Sequence, residues 1–367
     1  MIGVYIHIPF CKTICSYCDF CKMFYNQKWS SSYLDSLEKE IDSMYQGEEV
    51  STIYIGGGTP NCLSYNELER LFKIINKFKK NKNIEYTIEC NIELLNRAQI
   101  KLFKEYGINR VSIGVQTFNP KFLKLLNRHH TKEDVFNKIN MLKEEGITNI
   151  NVDFIYALPG QTLEDLDSDI RLFKELNIPH ISTYSLIIEK HTLLNNMNIK
   201  NIDEDLDFAM YNLICSRLNL YKHYETSNFA KPGYESKHNL SYWENLNYYG
   251  FGLGASGYLK NIRYENTHSL TKYLNGNYLE NKEELTKNET IENEFILGLR
   301  KINGININKF YKKYNIDILS INVVNELLKE GKLVNDGMNI KLSKDYIYTA
   351  NGILMKFLGV DYEKWYF

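Results

Sequence analysis

Six short apolar segments punctuate the first half of this chain. Each is separated from the next by a stretch with helical amphipathicity. They are VYIHI (residues 4–8), TIYIGGG (52–58), YTIEC (86–90), RVSIGV (110–115), NINVDFI (149–155) and HISTYSL (180–186). Short runs rich in Val, Ile, Thr and Tyr read as strands. In the intervals, Leu34, Leu37, Ile41 and Met44 fall on one helical face. Ser64 with Glu67 three residues on forms a capping box before another such face. Residues 131–146 and 162–176 repeat the pattern, and the first of them stops on Gly146. Strand–helix alternation of this kind implies a parallel sheet with helices outside it. Six units are fewer than the eight of a closed barrel, so the expected architecture is an open, partial (βα)6 TIM-like barrel. A doubly wound sheet is the alternative. The polar motifs described below follow the C-terminal ends of strands, where barrels place their sites.

Within residues 8–22, IPFCKTICSYCDFCK, lie four of the chain's seven cysteines. A disulfide knot, a zinc site and an iron–sulfur cluster compete to explain them. A chain of 367 residues does not need disulfides to build a core, and an odd number of cysteines suits reduced thiols. Zinc favours paired C-x2-C units, and no distant second pair exists here. Cys11, Cys15 and Cys18 form C-x3-C-x2-C. Three thiolates on a four-iron cluster would leave one iron open. Cys21 is a possible fourth ligand, against which the shortness of the loop argues. The apolar start MIGVYIHIPF has no preceding Lys or Arg and is interrupted by His7 and Pro9, so it does not read as a signal peptide. No run of about 18 apolar residues is present, and the cytoplasm is the expected compartment. A formal net charge of −1 gives no general field for nucleic acid or membrane.

C-x3-C-x-Y-C after a strand resembles the signature of radical S-adenosylmethionine (SAM) proteins. In that superfamily SAM chelates the open iron of a [4Fe-4S] cluster, and one electron cleaves the sulfonium to a 5′-deoxyadenosyl radical. The wider stretch YIHIPFC…YCDF resembles the oxygen-independent coproporphyrinogen III oxidase family and, within it, a heme-chaperone branch. The resemblance implies that Cys11, Cys15 and Cys18 hold the cluster. It implies SAM contacts for Gly57, Gly58 and Thr59 in GGGTP, Glu89 in TIECN, Gln116 in GVQTFN, Arg128 in LLNRHH and Asp153 in NVDFIYALPGQT. Tyr5 matches a further contact near the cluster. The glycines permit close backbone approach, and a charged residue inside an apolar strand calls for a partner.

Two features separate chaperone from oxidase. The oxidases carry a cysteine two residues after the third ligand, where this chain has Phe20. HNLSYW, residues 238–243, fits the H-N-x-x-Y-W motif associated with heme in the chaperone branch. That match implies heme contacts for His238, Asn239, Tyr242 and Trp243, with the histidine as an axial ligand. The chain also starts almost at its first strand, whereas the oxidases have a longer leading segment. The expectation is a radical SAM heme chaperone whose partners are heme, acceptor hemoproteins and a reductant, with peripheral association with membrane-bound acceptors and no nucleic acid. Radical decarboxylation of coproporphyrinogen III is the alternative. The expected organisation is a radical SAM partial barrel over 1–200, a mixed heme- or substrate-associated extension over 201–287, and a small winged-helix-like domain over 288–367. The last reads as a helical module ending in the hairpin KLVNDGMNIKLS.

Overall fold

The computed structural model describes residues 2–197 and 199–362. Its largest sheet has twelve strands. Six of them lie side by side in chain order and pair in parallel: β1 (Ile2–Ile8), β2 (Val50–Gly57), β3 (Lys80–Asn91), β4 (Arg110–Gln116), β5 (Asn149–Tyr156) and β6 (His180–Ser185). A doubly wound sheet reverses its strand order partway. This one does not, so the singly wound, barrel-type reading holds.

The helices form where the periodicity places them. Helix Gln27–Met44 buries Tyr33, Leu34, Leu37 and Ile41. Helices Tyr65–Ile75, Lys132–Glu144 and Leu163–Glu175 each begin with a reciprocal capping box, at Ser64/Glu67, Thr131/Asp134 and Thr162/Asp165. Gly146 adopts φ +85°, the left-handed turn that ends its helix.

Alternate residues of the parallel strands separate the two faces. Val4, Ile6, Ile8, Ile53, Ile55, Ile88, Val111, Ile113 and Val152 are fully buried within the main core. The intervening positions are polar: Tyr5, His7, Thr52, Tyr54, Glu89, Asn91, Ser112, Asn151, Asp153 and His180. These hydrogen-bond to one another within and across the strands, Asn151 reaching Asp153 on its own strand and Ser112 and His180 on its neighbours. The interior of the half-barrel is therefore a polar network, and its apolar face is the outside.

The extension supplies both edges of this unit. Strands β7 (Lys222–Glu225) and β8 (Asn228–Ala230) continue the sheet antiparallel beyond β6. On the other side, β9 (Tyr248–Phe251) pairs parallel with β1. Strands β10 (Ser256–Leu259), β11 (Ile262–Asn266) and β12 (Leu279–Glu284) follow antiparallel. These strands cover edges that an isolated half-barrel would leave open to pairing with another chain.

Residues from Ile291 to Tyr362 gather around a core of their own, including Phe295, Phe310, Leu327, Ile340 and Phe357. The hairpin forms between Leu333–Asn335 and Asn339–Leu342, with Gly337 at φ +87°. It does not end the module, contrary to the expectation from sequence. Helix Ala350–Leu354 follows, because Ala350, Ile353, Leu354 and Phe357 recur at helical spacing and close the core. No helix among the described residues is long and apolar enough to cross a membrane.

Candidate cofactor site at the C-terminal ends of the strands

A cavity of about 450 Å³ opens at the C-terminal ends of β1–β6. Cys11, Cys15 and Cys18 line it together with Gly57, Gly58, Thr59, Glu89, Gln116, Arg128 and Asp153. Ten residues spread over some 140 positions of sequence thus converge because each lies in the C-terminal half of a strand or in the segment that follows one.

The cysteine loop is pinned from below. The His7 Nε2–H donates to the Cys21 carbonyl at 2.7 Å, since that oxygen can only accept. Nδ1 is then the acceptor for the Tyr5 hydroxyl at 3.0 Å. Burial holds the His7 imidazole neutral, with its pKa lowered to about 4. Tyr5 accordingly lies beneath the cavity, where it supports the loop through His7 and stacks on Tyr54. Cys21 does not line the cavity. It packs beside Gly254, where an added Cβ would come within 2.9 Å of the Cys21 Cβ.

The turn after β2 needs its glycines. Gly57 has φ +110°, and a Cβ there would lie 2.6 Å from the His7 ring. A Cβ on Gly58 would lie 2.9 Å from the Cys11 sulfur. The Gly57 N–H donates to Glu89 Oε2 at 3.1 Å, and the Tyr54 hydroxyl donates to Glu89 Oε1 at 2.7 Å. Burial pushes the Glu89 carboxyl up to about 7 against these bonds, with Asp153 adding repulsion. Burial also raises Asp153, despite hydrogen bonds from Ser112 and Asn151.

Arg128 is buried on the far wall. Its guanidinium donates to Asn91 Oδ1 and the Gly114 carbonyl, approaches the Cys15 sulfur at 4.0 Å and lies 3.4 Å from Glu93. Gln116 ends β4 in the left-handed region, φ +69°, with a register shift between β4 and β5 beside it. Such strain in a non-glycine residue concentrates at functional sites. The unsubstituted Gly114 leaves room for the Gln116 and Arg128 side chains, because a Cβ would meet them at 2.8 and 3.3 Å.

HNLSYW lies at the opposite end of the barrel. Helix Lys237–Trp243 covers the N-terminal ends of β1–β3, its first N–H groups donating to the Glu85 carboxylate at 2.9 Å. His238 is 1% exposed. Its Nδ1 is bonded to the Thr52 hydroxyl at 2.9 Å and its Nε2 to the Tyr242 hydroxyl at 2.7 Å, and its ring stacks on Tyr54. Burial lowers its pKa to about 3, with Arg110 adding repulsion. In this arrangement neither ring nitrogen of His238 is available to an iron. Asn239 contributes its backbone N–H to the Ser236 cap, and Trp243 packs under Arg300.

The sequence reading missed Tyr54 and Ser112, which line the cavity, and His7 and Asn151, which hydrogen-bond beneath it. The signal was present in the strict apolar–polar alternation of the strands. Its functional face is the polar one.

A three-cysteine loop, a glycine turn and two buried carboxylates at the strand ends of a singly wound half-barrel define a radical SAM protein. The family model described as the Radical SAM superfamily matches residues 5–173. The chain is 42% identical to the heme chaperone HemW of Lactococcus lactis over 97% of each chain. It is 37% identical to the heme chaperone HemW of Bacillus subtilis over 98% of this chain and 100% of that protein. In structure it is similar to the coproporphyrinogen III oxidase HemN of Escherichia coli. The TM-score is 0.85 at 24% identity, covering 97% of this chain and 89% of that one. The chain belongs to the HemW family of radical SAM proteins.

A [4Fe-4S] cluster and SAM come with that membership, and the donor set suits them. The site offers three thiols beside a buried cation, a glycine cradle that any Cβ would fill, and carboxylates for a cationic ligand. Burial raises the Cys11 thiol and brings that of Cys18 to about 11, so cluster assembly has to release protons.

Proposed function

We propose that this chain holds heme and passes it to acceptor hemoproteins. The observation that carries this reading is full-length similarity, at 37–42% identity, to proteins named heme chaperones. The likeness to the oxidase, at 24% identity, is one of fold. Phe20 supports the same choice. It stands at the cavity mouth, 63% exposed, where the oxidases have a cysteine. With exposed Ile187 it forms an apolar rim suited to a hydrophobic ligand or partner. The cytoplasm as compartment, a reductant for the cluster and peripheral contact with membrane-bound acceptors belong to this reading. The test is titration of hemin into purified protein, followed by incubation with coproporphyrinogen III, SAM and a reductant. A saturable Soret shift without decarboxylated product is the expected result. Robust formation of protoporphyrinogen IX with no specific heme spectrum would return the protein to the oxidases.

Within that function, Cys11, Cys15 and Cys18 hold the cluster, which supplies one-electron chemistry when bound. Gly57, Gly58, Thr59, Glu89, Gln116, Arg128 and Asp153 receive SAM, and Tyr5 supports them from below. SAM is cationic at its amino and sulfonium groups, so binding favours the ionised form of Glu89. In the free protein that carboxyl is half protonated near pH 7. Binding below pH 7 must therefore expel a proton. SAM affinity is expected to climb between pH 5.5 and 7, by at most about tenfold per pH unit for one proton, and to level off above. Asp153, raised in the same direction, adds to the slope. Glu89→Gln is expected to weaken binding and flatten the profile. Calorimetry at a series of pH values checks this, and a wild-type affinity independent of pH would remove Glu89 from the SAM contacts.

A further inference from the structure

Three different parts of the barrel hold Arg128. Its Nη2 donates to Asn91 Oδ1 at 3.2 Å, at the end of β3, and to the Gly114 carbonyl at 2.8 Å, on β4. Its Nε faces Glu93 Oε1 at 3.4 Å. Glu93 lies two residues beyond β3 and does not line the cofactor cavity. The same carboxylate oxygen accepts the His129 N–H at 2.7 Å and lies 3.5 Å from His130 Nδ1. The Glu93 N–H in turn donates to Asn91 Oδ1 at 2.9 Å. One acidic side chain thus meets Arg128, His129 and His130 together. The segment before them reaches the cysteine loop. Asn127 Nδ2 donates to the Ile14 carbonyl at 2.8 Å, and the Ser16 N–H and hydroxyl donate to the Leu126 and Leu125 carbonyls at 3.2 and 2.5 Å. Ile14 and Ser16 flank Cys15, so residues 125–127 grip both of its neighbours.

We propose that Glu93 is the positioning residue for Arg128, fixing its guanidinium in the cavity wall so that Nη1 is left for the bound ligand. The inference rests on the assignment of Arg128 to SAM, and Glu93 acts through Arg128 without touching the ligand itself. Three observations carry it. First, a guanidinium is a rigid planar fork, so restraint of its Nε edge orients the nitrogens beyond it. Glu93 meets that edge, Asn91 and Gly114 occupy Nη2, and Nη1 remains, 4.0 Å from the Cys15 sulfur. Second, Arg128 is buried, and its two hydrogen-bond acceptors are neutral oxygens. A buried cation calls for an anionic partner, and Glu93 is the carboxylate placed against it. Burial opposes ionisation of Glu93, but the bonds from His130 and His129 and the Arg128 charge outweigh it and hold the carboxyl down to about 2. Third, the contacts at 125–127 tie this segment to the cysteine loop on one side, and those of Glu93 to residues 128–130 tie it to the end of β3 on the other. Arg128 therefore keeps one place relative to Cys15 as long as both ties hold.

The test is a double-mutant cycle in SAM affinity, measured by calorimetry on reconstituted protein with its iron quantified. The cycle compares the wild type, Glu93→Gln, Arg128→Met and the double variant. Glutamine matches glutamate in shape and still accepts the His129 N–H, so Glu93→Gln removes the charge and leaves the loop its hydrogen bond. Glu93→Gln is expected to weaken SAM binding by about tenfold while iron stays near the wild-type content. Arg128→Met is expected to weaken it further. The double variant is expected to bind as Arg128→Met does, because Glu93 then has nothing left to position. A merely structural role would instead add its loss to that of Arg128→Met. Arg128→Lys, which cannot span Glu93, Asn91 and Gly114 at once, repeats the cycle if Arg128→Met does not load its cluster. Wild-type affinity in the Arg128 variant removes Arg128 from the SAM contacts and this inference with it. Weakened binding in the Arg128 variant, together with wild-type affinity in Glu93→Gln, cluster loss in Glu93→Gln or additive losses in the double variant, removes this inference alone.

Discussion

Alanine at Cys11, Cys15 or Cys18 is expected to abolish the [4Fe-4S] cluster, whereas Cys21→Ala is expected to keep near-wild-type iron. The three thiols line one cavity, and the fourth faces a different environment against Gly254. A cluster held by three thiolates has no spare protein ligand, so loss of one leaves two irons without a protein donor. Cys21 acts through its backbone, because its carbonyl receives the His7 N–H, and a side-chain substitution spares that bond. Iron and sulfide analysis of anaerobically reconstituted protein, with the visible absorption band, reads out the difference. Full iron in any of the first three variants, or cluster loss in Cys21→Ala, would overturn the ligand assignment.

Gly57→Val is expected to reduce SAM binding by at least about tenfold, the equivalent of about 1.4 kcal/mol. Two costs combine. A β-branched residue at φ +110° carries backbone strain on the order of 1–3 kcal/mol. Its Cβ would also lie 2.6 Å from the His7 ring, which is held between Tyr5 and the cysteine loop. Relief of that clash displaces either the turn that donates to Glu89 or the loop that carries the cluster. Gly47→Val is the control. Gly47 has a similar backbone, φ +86°, with nothing within 4 Å of an added Cβ. It should lower stability by backbone strain alone and leave SAM affinity unchanged. Equal losses of SAM affinity in the two variants would mean that the turn at Gly57 contributes only to folding.

The polar interior ties the floor of the barrel to the site. Tyr54 bonds Glu89 at one end and stacks on His238 at the other, so the floor of the barrel supports the cofactor end through one side chain. A core of this kind is sensitive to partial satisfaction, since a buried polar group left unpaired costs about 1–3 kcal/mol.

Local physics made much of this legible in the sequence. The period-two strands, the capping boxes at Ser64, Thr131 and Thr162, and the stop at Gly146 depend on residues within a few positions of one another. The C-x3-C-x2-C loop was equally local and legible in its spacing, and the glycine turn was local too, its role toward SAM being what the family resemblance implied. Six strand–helix units also determined a parallel sheet, because a right-handed crossover leaves few other ways to bury an apolar helix face. What the sequence could not decide was which face of the strands carries the chemistry and what lies against it. Tyr54, Ser112 and Asn151 become part of the site only when neighbouring strands align them in register. His238 shows the same limit from the other side. Its motif is plain in the sequence, yet the tertiary structure alone places it under the barrel with both nitrogens bonded, because its partner Thr52 is 186 positions away.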